Sequence, residues 1–161
     1  MKARTLSKSD IKVLNSELTE FYGVAPLNKK DKVQLIESTQ SDTELFMNYL
    51  KVNGEVAYFY KDKKIIPTLR TLLKNNFLKK ITVDMGAVKF LCGGADPMRP
   101  GITDIEDGIN SGDIISIIDI NNKKSIVVAR ALFSTEDMKT QTSGKSASNI
   151  HYVGDNIWNL Q

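Results

Sequence analysis

The stretch GGADPMRPG, residues 93–101, decides how the second half of this 161-residue sequence is interpreted. Its three glycines let the backbone approach another group closely, and its two prolines fix φ and limit the freedom of the loop. Arg99 adds a planar fork of donors that suits a phosphate or a base edge. The stretch predicts a rigid loop that contacts nucleic acid. A stiff corner of a β-barrel with a solvated arginine fits the same residues equally well.

The flanking segments predict a short helix before this loop and strands after it. Asp84 is a good N-cap for a helix over MGAVKFLC, and the two glycines that follow suit its C-terminal end. The predicted strands, several of them bounded by turn signals, are ITV (81–83), DIISIID (113–119), SIVVARALF (125–133) and a closing hairpin of NIHYV (149–153) with NIW (156–158). Short strands of this kind predict a small β-barrel.

The first half mixes the periods of helix and strand. Ser7 and Asp10 form a capping-box signature ahead of apolar residues at helical spacing, and Gly23 is a suitable stop. Three predicted strands follow, with Asn53-Gly54 as a hairpin turn between the last two: KVQLIES (32–38), ELFMNYLKV (44–52) and EVAYFY (55–60). Pro67 then suits the first turn of a helix over TLRTLLKNNFL.

Together these patterns predict an α+β protein with a boundary near residue 80. We expect a small N-terminal α+β domain over residues 1–80 and a small β-barrel over residues 81–161. Residues 1–80 contain 15 Lys and Arg against 9 Asp and Glu, a net charge of +6, whereas residues 81–161 carry −3. The basic half could face phosphate, and a solvated lysine-rich surface is the other explanation.

Composition excludes several classes of function. Hydrophobic residues make up 41% of the chain and charged residues 25%, which is ordinary for a soluble globular protein. The chain has no apolar run of the roughly 18 residues that a membrane span needs, and its N-terminus lacks a secretory signal. We therefore expect a cytoplasmic protein that does not enter a membrane.

Residues for catalysis or metal binding are scarce. One Cys and one His are too few for a His/Cys metal site, and no pair of carboxylates specifies acid–base chemistry. SGKS (143–146) lacks the upstream glycine of a P-loop, and Cys92 lies among apolar residues that favour a buried thiol over a nucleophile. We expect no catalytic residue, no metal and no cofactor.

Two segments resemble a known RNA-binding module. VDMGAVKFLCGGADPMRPGIT (83–103) is similar to the helix-and-loop signature of the PUA domain, and NIHYVGDNIW (149–158) is similar to its closing strands. IPTLRTLL (66–73) further upstream resembles the malignant-T-cell-amplified-sequence family, with its archaeal relatives and the translation factor ligatin. In that family an N-terminal α+β domain precedes the PUA domain, so the resemblance implies a PUA-type pseudo-β-barrel over residues 81–161.

The resemblance also implies a set of nucleic-acid-binding residues. The matching positions on the first helix and its loop, with Lys145 of the later polar loop added, are Lys89, Gly94, Ala95, Asp96, Met98, Arg99, Pro100, Gly101 and Lys145. We expect charge contacts from Lys89 and Arg99 and a close approach of RNA at Gly94 and Ala95. Asp96 either accepts a hydrogen bond from RNA or caps its own turn, and Met98 either packs on a base or lies inside the barrel.

The function implied is that of an RNA-binding protein associated with translation. By resemblance it contacts the small ribosomal subunit or the acceptor end of tRNA, and acts in initiation, reinitiation or recycling. Its partners would be rRNA or tRNA and a translation-factor protein such as density-regulated protein. The alternatives are an accessory protein of RNA modification and a protein-interaction adaptor that does not bind RNA.

Overall fold

The computed structural model describes residues 2–38 and 47–160. These residues form one antiparallel sheet, one mixed sheet and four α-helices. This confirms the predicted α+β class. The chain forms two compact units, one reaching to Thr68 together with Leu160, and the other spanning Leu69–Asn159. A domain boundary at residue 80 stays a prediction, since the compact units divide earlier in the chain.

The first unit is a five-stranded antiparallel sheet with one helix. Its strands follow chain order across the sheet, β1-β2-β3-β4-β5. The elements are β1 (Lys2–Thr5), α1 (Lys8–Tyr22), β2 (Val33–Glu37), β3 (Tyr49–Val52), β4 (Glu55–Lys61) and β5 (Lys64–Pro67).

Local signals in this unit acted as the sequence predicts. The Ser7 hydroxyl accepts from the Asp10 N–H while the Asp10 carboxylate accepts from the Ser7 N–H, so the capping box is confirmed. Gly23 ends α1 at φ 71°, and Asn53 and Gly54 both have positive φ, as a two-residue hairpin turn requires. β1 was not predicted, and residues 44–46 of the predicted 44–52 strand lie outside the described residues.

The second unit contains three helices around a second five-stranded sheet of order β10-β9-β8-β6-β7. One pair of neighbours, β6 and β8, is parallel. The elements are α2 (Leu69–Lys74), β6 (Lys80–Val83), α3 (Met85–Leu91), β7 (Ile102–Ile105), β8 (Ile114–Asp119), β9 (Ser125–Ala131), α4 (Thr135–Thr140) and β10 (Ala147–Tyr152). Its core is dominated by branched aliphatic residues that include Ile81, Val83, Ile115, Ile117 and Val127.

Two predicted elements are wrong in this region. Pro67 ends a strand instead of starting a helix, and α2 is only six residues long, so Phe77 lies beyond it. The predicted strand 156–158 forms turns after β10, while β7 was missed. The turns are held by Asp155, whose carboxylate accepts from the N–H groups of Tyr152 and Trp158.

α2 joins the second unit through side chains that lie far away in sequence. Its first N–H, on Leu69, donates to Nε2 of the fully buried His151 at 3.1 Å, and Arg70 stacks over the Trp158 ring at 4.1 Å while donating to the Trp158 carbonyl. Because Nε2 accepts, the second ring nitrogen, Nδ1, carries a proton and donates it to Asp155 at 2.9 Å. Burial raises the pKa of Asp155, but hydrogen bonds from the His151 ring and from backbone N–H groups outweigh it and lower the pKa overall.

Candidate nucleic-acid interface

The loop that follows α3 is held in place by backbone hydrogen bonds and close packing. Ala95 N–H donates to the carbonyl of Phe90, and Gly101 accepts from Asp84 N–H at 3.0 Å. Gly94 has φ +98°, and a Cβ there would meet the Tyr152 ring at 3.3 Å. A Cβ on Gly101 would meet the Cβ of Ala87 at 3.2 Å. Two of the predicted glycines therefore let the loop pack against Tyr152 and against α3.

The same loop pairs with the polar loop that precedes β10. Arg99 N–H donates to the Gly144 carbonyl and Ser146 N–H to the Pro97 carbonyl, both at 2.9 Å, with Met98 facing Lys145 in an isolated antiparallel bridge. The structure therefore brings Lys145 beside the loop, as the sequence could only suggest.

Asp96 cross-links these two segments. Its Oδ1 accepts from the N–H of Asn149 at 2.8 Å, and its Oδ2 lies 2.9 Å from Lys145 Nζ. The Asn149 N–H, followed by the Lys145 ammonium, lowers the pKa of the Asp96 carboxyl, and partial burial opposes them weakly. Asp96 caps no turn of its own, because its partners lie on β10 and on the loop before it.

The guanidinium of Arg99 is half-buried and turned toward the protein. Nε donates to the carbonyl of Met138 at the end of α4 at 2.7 Å, and Nη1 donates to the carbonyl of Ile102 at 3.1 Å. Arg99 thus fixes the loop to α4 and to β7. Contact between Arg99 and RNA stays a prediction, now with two of its donors already engaged.

Between α3 and this loop lies a groove of about 470 Å³, which we call the α3 groove. Gly86, Ala87 and Phe90 line it from the helix, and residues 95–98 with Pro100 and Gly101 line it from the loop. Phe90 is 67% exposed and Met98 48% exposed, so a large apolar surface faces solvent at the groove. Met98 therefore does not lie inside the barrel.

Charge in the α3 groove is the opposite of what phosphate binding needs. Its described lining residues include Asp84 and Asp96 but no Lys or Arg. Both carboxylates have partners, since Asp84 accepts from Ala87 N–H at 2.9 Å as the N-cap of α3. Lys89 is exposed on α3 but does not line the groove. The nine predicted residues thus divide into groove-lining positions, flanking cations and residues that hold the loop.

Sequence reasoning missed Phe90 as a functional residue. It was considered only as an apolar neighbour of Cys92, which is half-buried and has its pKa raised by burial. A signal was present: α3 buries Leu91, and a helix turns by about 100° per residue, so an aromatic residue next to it points to a different face. Two further lysines of the same unit are Lys123 and Lys124. They are exposed on the turn after β8, whose Ile120 N–H donates to the Val83 carbonyl at one end of the groove.

Neither a membrane helix nor a metal cluster appears in the part of the chain that the structure describes. Within residues 2–38 and 47–160, no helix has both the length and the apolar character needed to cross a membrane. In the same ranges, no three side chains of His, Cys, Asp or Glu come together as a metal ion would require.

Comparison with known proteins defines the class of this chain. A family model described as PUA domain matches residues 79–153, which include α3, its loop and β10. A solved structure of a hypothetical protein from Pyrococcus horikoshii is 29% identical, with a TM-score of 0.82 and coverage of 98% of both chains. Residues 79–153 accordingly form a PUA pseudo-barrel, which is an RNA-binding domain.

Relatives along the whole chain define the family. An uncharacterized protein of Methanocaldococcus jannaschii is 41% identical, covering 97% of this chain and 94% of its own. Malignant T-cell-amplified sequence 2 of Mus musculus is 32% identical over 97% and 90%, and translation machinery-associated protein 20 of Saccharomyces cerevisiae is 31% identical over 82% and 74%. The chain belongs to this family of malignant T-cell-amplified sequence and translation machinery-associated proteins.

Proposed function

We propose that this translation-associated RNA-binding protein holds single-stranded RNA in the α3 groove, which reads the faces of bases. The observation that carries the proposal is Phe90, an aromatic side chain that is 67% exposed and lines the groove. Proteins that bind unpaired RNA stack bases on aromatic side chains, and such stacking tolerates any base because every base has a π-face. Met98 and Pro100 supply apolar surface opposite the ring.

Phosphate is a poor ligand for the same groove. No cation is among its described lining residues, and Lys145 is paired with Asp96 at 2.9 Å. Arg99 gives two of its donors to backbone carbonyls. Charge contacts are therefore assigned to its margins, with Lys89 and Lys145 as the flanking cations.

The predicted residues then take three roles. Ala95, Met98, Pro100 and Gly101 contact RNA directly, because they line the groove. Lys89 and Lys145 contact the sugar-phosphate backbone beside it. The residues that position the loop through protein contacts are Gly94, Asp96 and Arg99.

Membership of the family supports a proposal for the RNA target. Relatives are named for the translation machinery, so we place the protein in the cytoplasm on the small ribosomal subunit or at the acceptor end of tRNA. We place its action in initiation, reinitiation or recycling. An N-terminal domain over residues 1–80 would precede a PUA domain over 81–161, and a translation-factor protein is a further expected partner.

Binding of total tRNA, tRNA without its 3′ end and small ribosomal subunits tests this proposal. We expect Phe90→Ala to weaken binding of the true target by about 1–3 kcal/mol, roughly 5- to 150-fold. Phe133→Ala is the matched control, because Phe133 is a 39% exposed aromatic residue in the same unit that does not line the groove.

A protein-interaction adaptor is the second candidate, since an apolar groove with no lining cation also suits an apolar side chain of a protein. Equal RNA affinity of wild type and Phe90→Ala would reject RNA binding in the α3 groove. Loss of a stoichiometric protein partner in that variant alone would then favour the adaptor.

A further inference from the structure

A second groove lies within residues 8–29 of the first unit, between α1 and the segment that follows it. Its volume is about 760 Å³. Lys8, Lys12 and Thr19 line it from the helix, and Ala25, Leu27 and Lys29 line it from the segment. We call it the lysine groove.

Asn15 fixes the distance between its two walls. The Asn15 side chain donates from Nδ2 to the Leu27 carbonyl at 2.7 Å and accepts at Oδ1 from the Leu27 N–H at 3.0 Å. The Asn15 amide thus pairs with both the N–H and the carbonyl of Leu27, as a neighbouring strand would, and holds the segment against α1. The groove is therefore preformed.

Two of the three hydroxyl groups that line the lysine groove are already occupied by the helix itself. Ser16 Oγ donates to the Lys12 carbonyl at 3.1 Å, and Thr19 Oγ1 donates to the Asn15 carbonyl at 2.7 Å. The three lysines are exposed, and no carboxylate of residues 2–38 or 47–160 pairs with them. Asp10, two residues from Lys8 and from Lys12, accepts from Ser7 N–H and from Arg4. Asp31, two residues from Lys29, accepts from Asn28 N–H and from the Asn53 side chain.

The lysines stand on both walls of the groove. Lys8 and Lys12 are four residues apart in α1, which places them on the same face with a rise of about 6 Å between them. Lys29 stands on the opposite wall. A chain of negative charges lying in the groove would therefore meet cations on both sides.

We propose that the lysine groove is a second RNA contact, which holds the sugar-phosphate backbone. This inference rests on the proposed function, because it takes RNA as the ligand of the protein. Its lining contains three lysines and no Asp or Glu, which is the charge complement of a polyanion. Its two large apolar residues, Ile11 and Leu27, are buried, so a protein partner would find no large exposed hydrophobic side chain to pack on.

The test is the salt dependence of binding to a single-stranded oligoadenylate, measured with the full chain. Neutralising one phosphate contributes about 0.7 to the slope of log K against log salt for single strands, so we expect Lys8→Gln/Lys12→Gln/Lys29→Gln to reduce the slope by about 2. The matched control is Lys2→Gln/Lys32→Gln/Lys61→Gln, which removes three exposed lysines of the same unit outside the groove. We expect the control to keep the wild-type slope.

Glutamine retains most of the side-chain stem, and exposed substitutions of this kind change stability by no more than about 0.5 kcal/mol. Thermal unfolding of all variants checks this. Equal slopes for the two triple variants would overturn the inference. It would also be overturned if the groove variant lost binding to polyglutamate while its RNA slope stayed at the wild-type value, because the ligand would then be an acidic protein.

Phe90→Ala in the same assay separates the two proposals. Lower affinity of Phe90→Ala together with an unchanged slope of the lysine variant would reject the lysine groove and leave the α3 groove standing. A reduced slope of the lysine variant with wild-type affinity of Phe90→Ala would reject the α3 groove and support the lysine groove.

Discussion

The α3 groove and the lysine groove present opposite chemistry. The α3 groove exposes Phe90 and Met98 and includes two carboxylates but no cation among its described lining residues. The lysine groove has three lysines, no carboxylate and no exposed large hydrophobic residue in its lining. One surface suits the apolar faces of bases and the other suits phosphates. A nucleic-acid site can thus be divided into stacking and charge contacts carried by different parts of a chain.

The comparison also changes how the charge of the sequence is understood. Division at residue 80 gives charges of +6 and −3. Residues 69–80 add Arg70, Lys74, Lys79 and Lys80 to the second unit, so that residues 1–68 carry +2 and residues 69–159 carry +1. The basic character of the first unit therefore resides in the local arrangement of its lysines, and its net charge is small.

The largest expected effect comes from removing the apolar surface of the α3 groove. Phe90→Ala/Met98→Ala should weaken binding of single-stranded RNA by about 3 kcal/mol, because a stacked base loses its platform. The loss should be the same at about 0.05 M and about 0.5 M salt, since stacking is not screened as charge contacts are. Titrations at both salt concentrations measure it.

The matched control for that variant is Leu73→Ala/Phe133→Ala, two exposed apolar residues of the same unit outside the groove. A loss that disappears at high salt would show that the α3 groove acts through charge, and the contrast between the two grooves would be lost.

Arg99→Ala tests whether this arginine holds the loop or contacts RNA. We expect a decrease of about 2 kcal/mol in the free energy of unfolding, because the carbonyls of Met138 and Ile102 lose a charged donor. Lys89→Ala, on the exposed face of α3, should change stability by less than about 0.5 kcal/mol. Urea unfolding measures both. Weaker RNA binding by Arg99→Ala at unchanged stability would mean that its guanidinium contacts RNA directly.

Asn15→Ala sharpens the account of the lysine groove. We expect it to destabilise the fold by about 1–2 kcal/mol, because Leu27 loses both partners of its N–H and carbonyl groups. The slope of RNA binding on salt should also decrease, because Lys29 stands on the wall that this side chain holds. Ser16 lines the same groove, and Ser16→Ala removes only a hydrogen bond within α1, so this variant serves as the control. A normal slope in Asn15→Ala would contradict a preformed groove.

The smallest expected effect is a pH dependence confined to the α3 groove. The folded pKa of Asp96 is lowered, so its contribution to loop stability is complete above the ordinary pKa near 4 and is lost as the pH falls through the folded value. The binding free energy that Phe90 contributes should then decrease by less than about 1 kcal/mol between pH 6 and a pH below the folded pKa of Asp96. A small change is expected because the ion pair is partly exposed. The part of RNA binding that depends on the lysine groove should persist over the same pH range.

Asp96→Asn, which keeps an acceptor for Asn149 N–H, should lack that pH dependence. RNA titrations of the two proteins across this pH range test the assignment. Parallel acid profiles would show that another group is responsible.

Much of the fold was predictable because its signals are local. The Ser7 capping box, the Asn53-Gly54 turn and the Asp84 N-cap each act within three residues of the chain, so the sequence alone specifies them. β1 and β7 were not predicted. Each is a four-residue strand whose two central residues are exposed, so its sequence shows little hydrophobic pattern. The sequence predicts a strand at 156–158, but Asp155 accepts from the N–H groups of Tyr152 and Trp158, each three residues away, and these bonds fold the segment into turns.

The candidate site was predictable as a segment but not as a set of contacts. The sequence located the loop over residues 93–101 and its neighbour Lys145, and the bridge between Met98 and Lys145 brings them together. It could not assign Arg99 to Met138 or Asp96 to Asn149, which are 39 and 53 residues away. It also could not show that Phe90 remains exposed.

The residues by themselves determined the α+β class, the family and the places where helices and tight turns begin and end, because caps and turns are interactions between near neighbours. Only the tertiary structure decided that Arg99 faces the protein, that α2 is bound by His151, and that three lysines gather around one groove. Those arrangements depend on which distant backbone groups need a partner once the chain is compact, and a buried polar group without a partner costs about 1–3 kcal/mol.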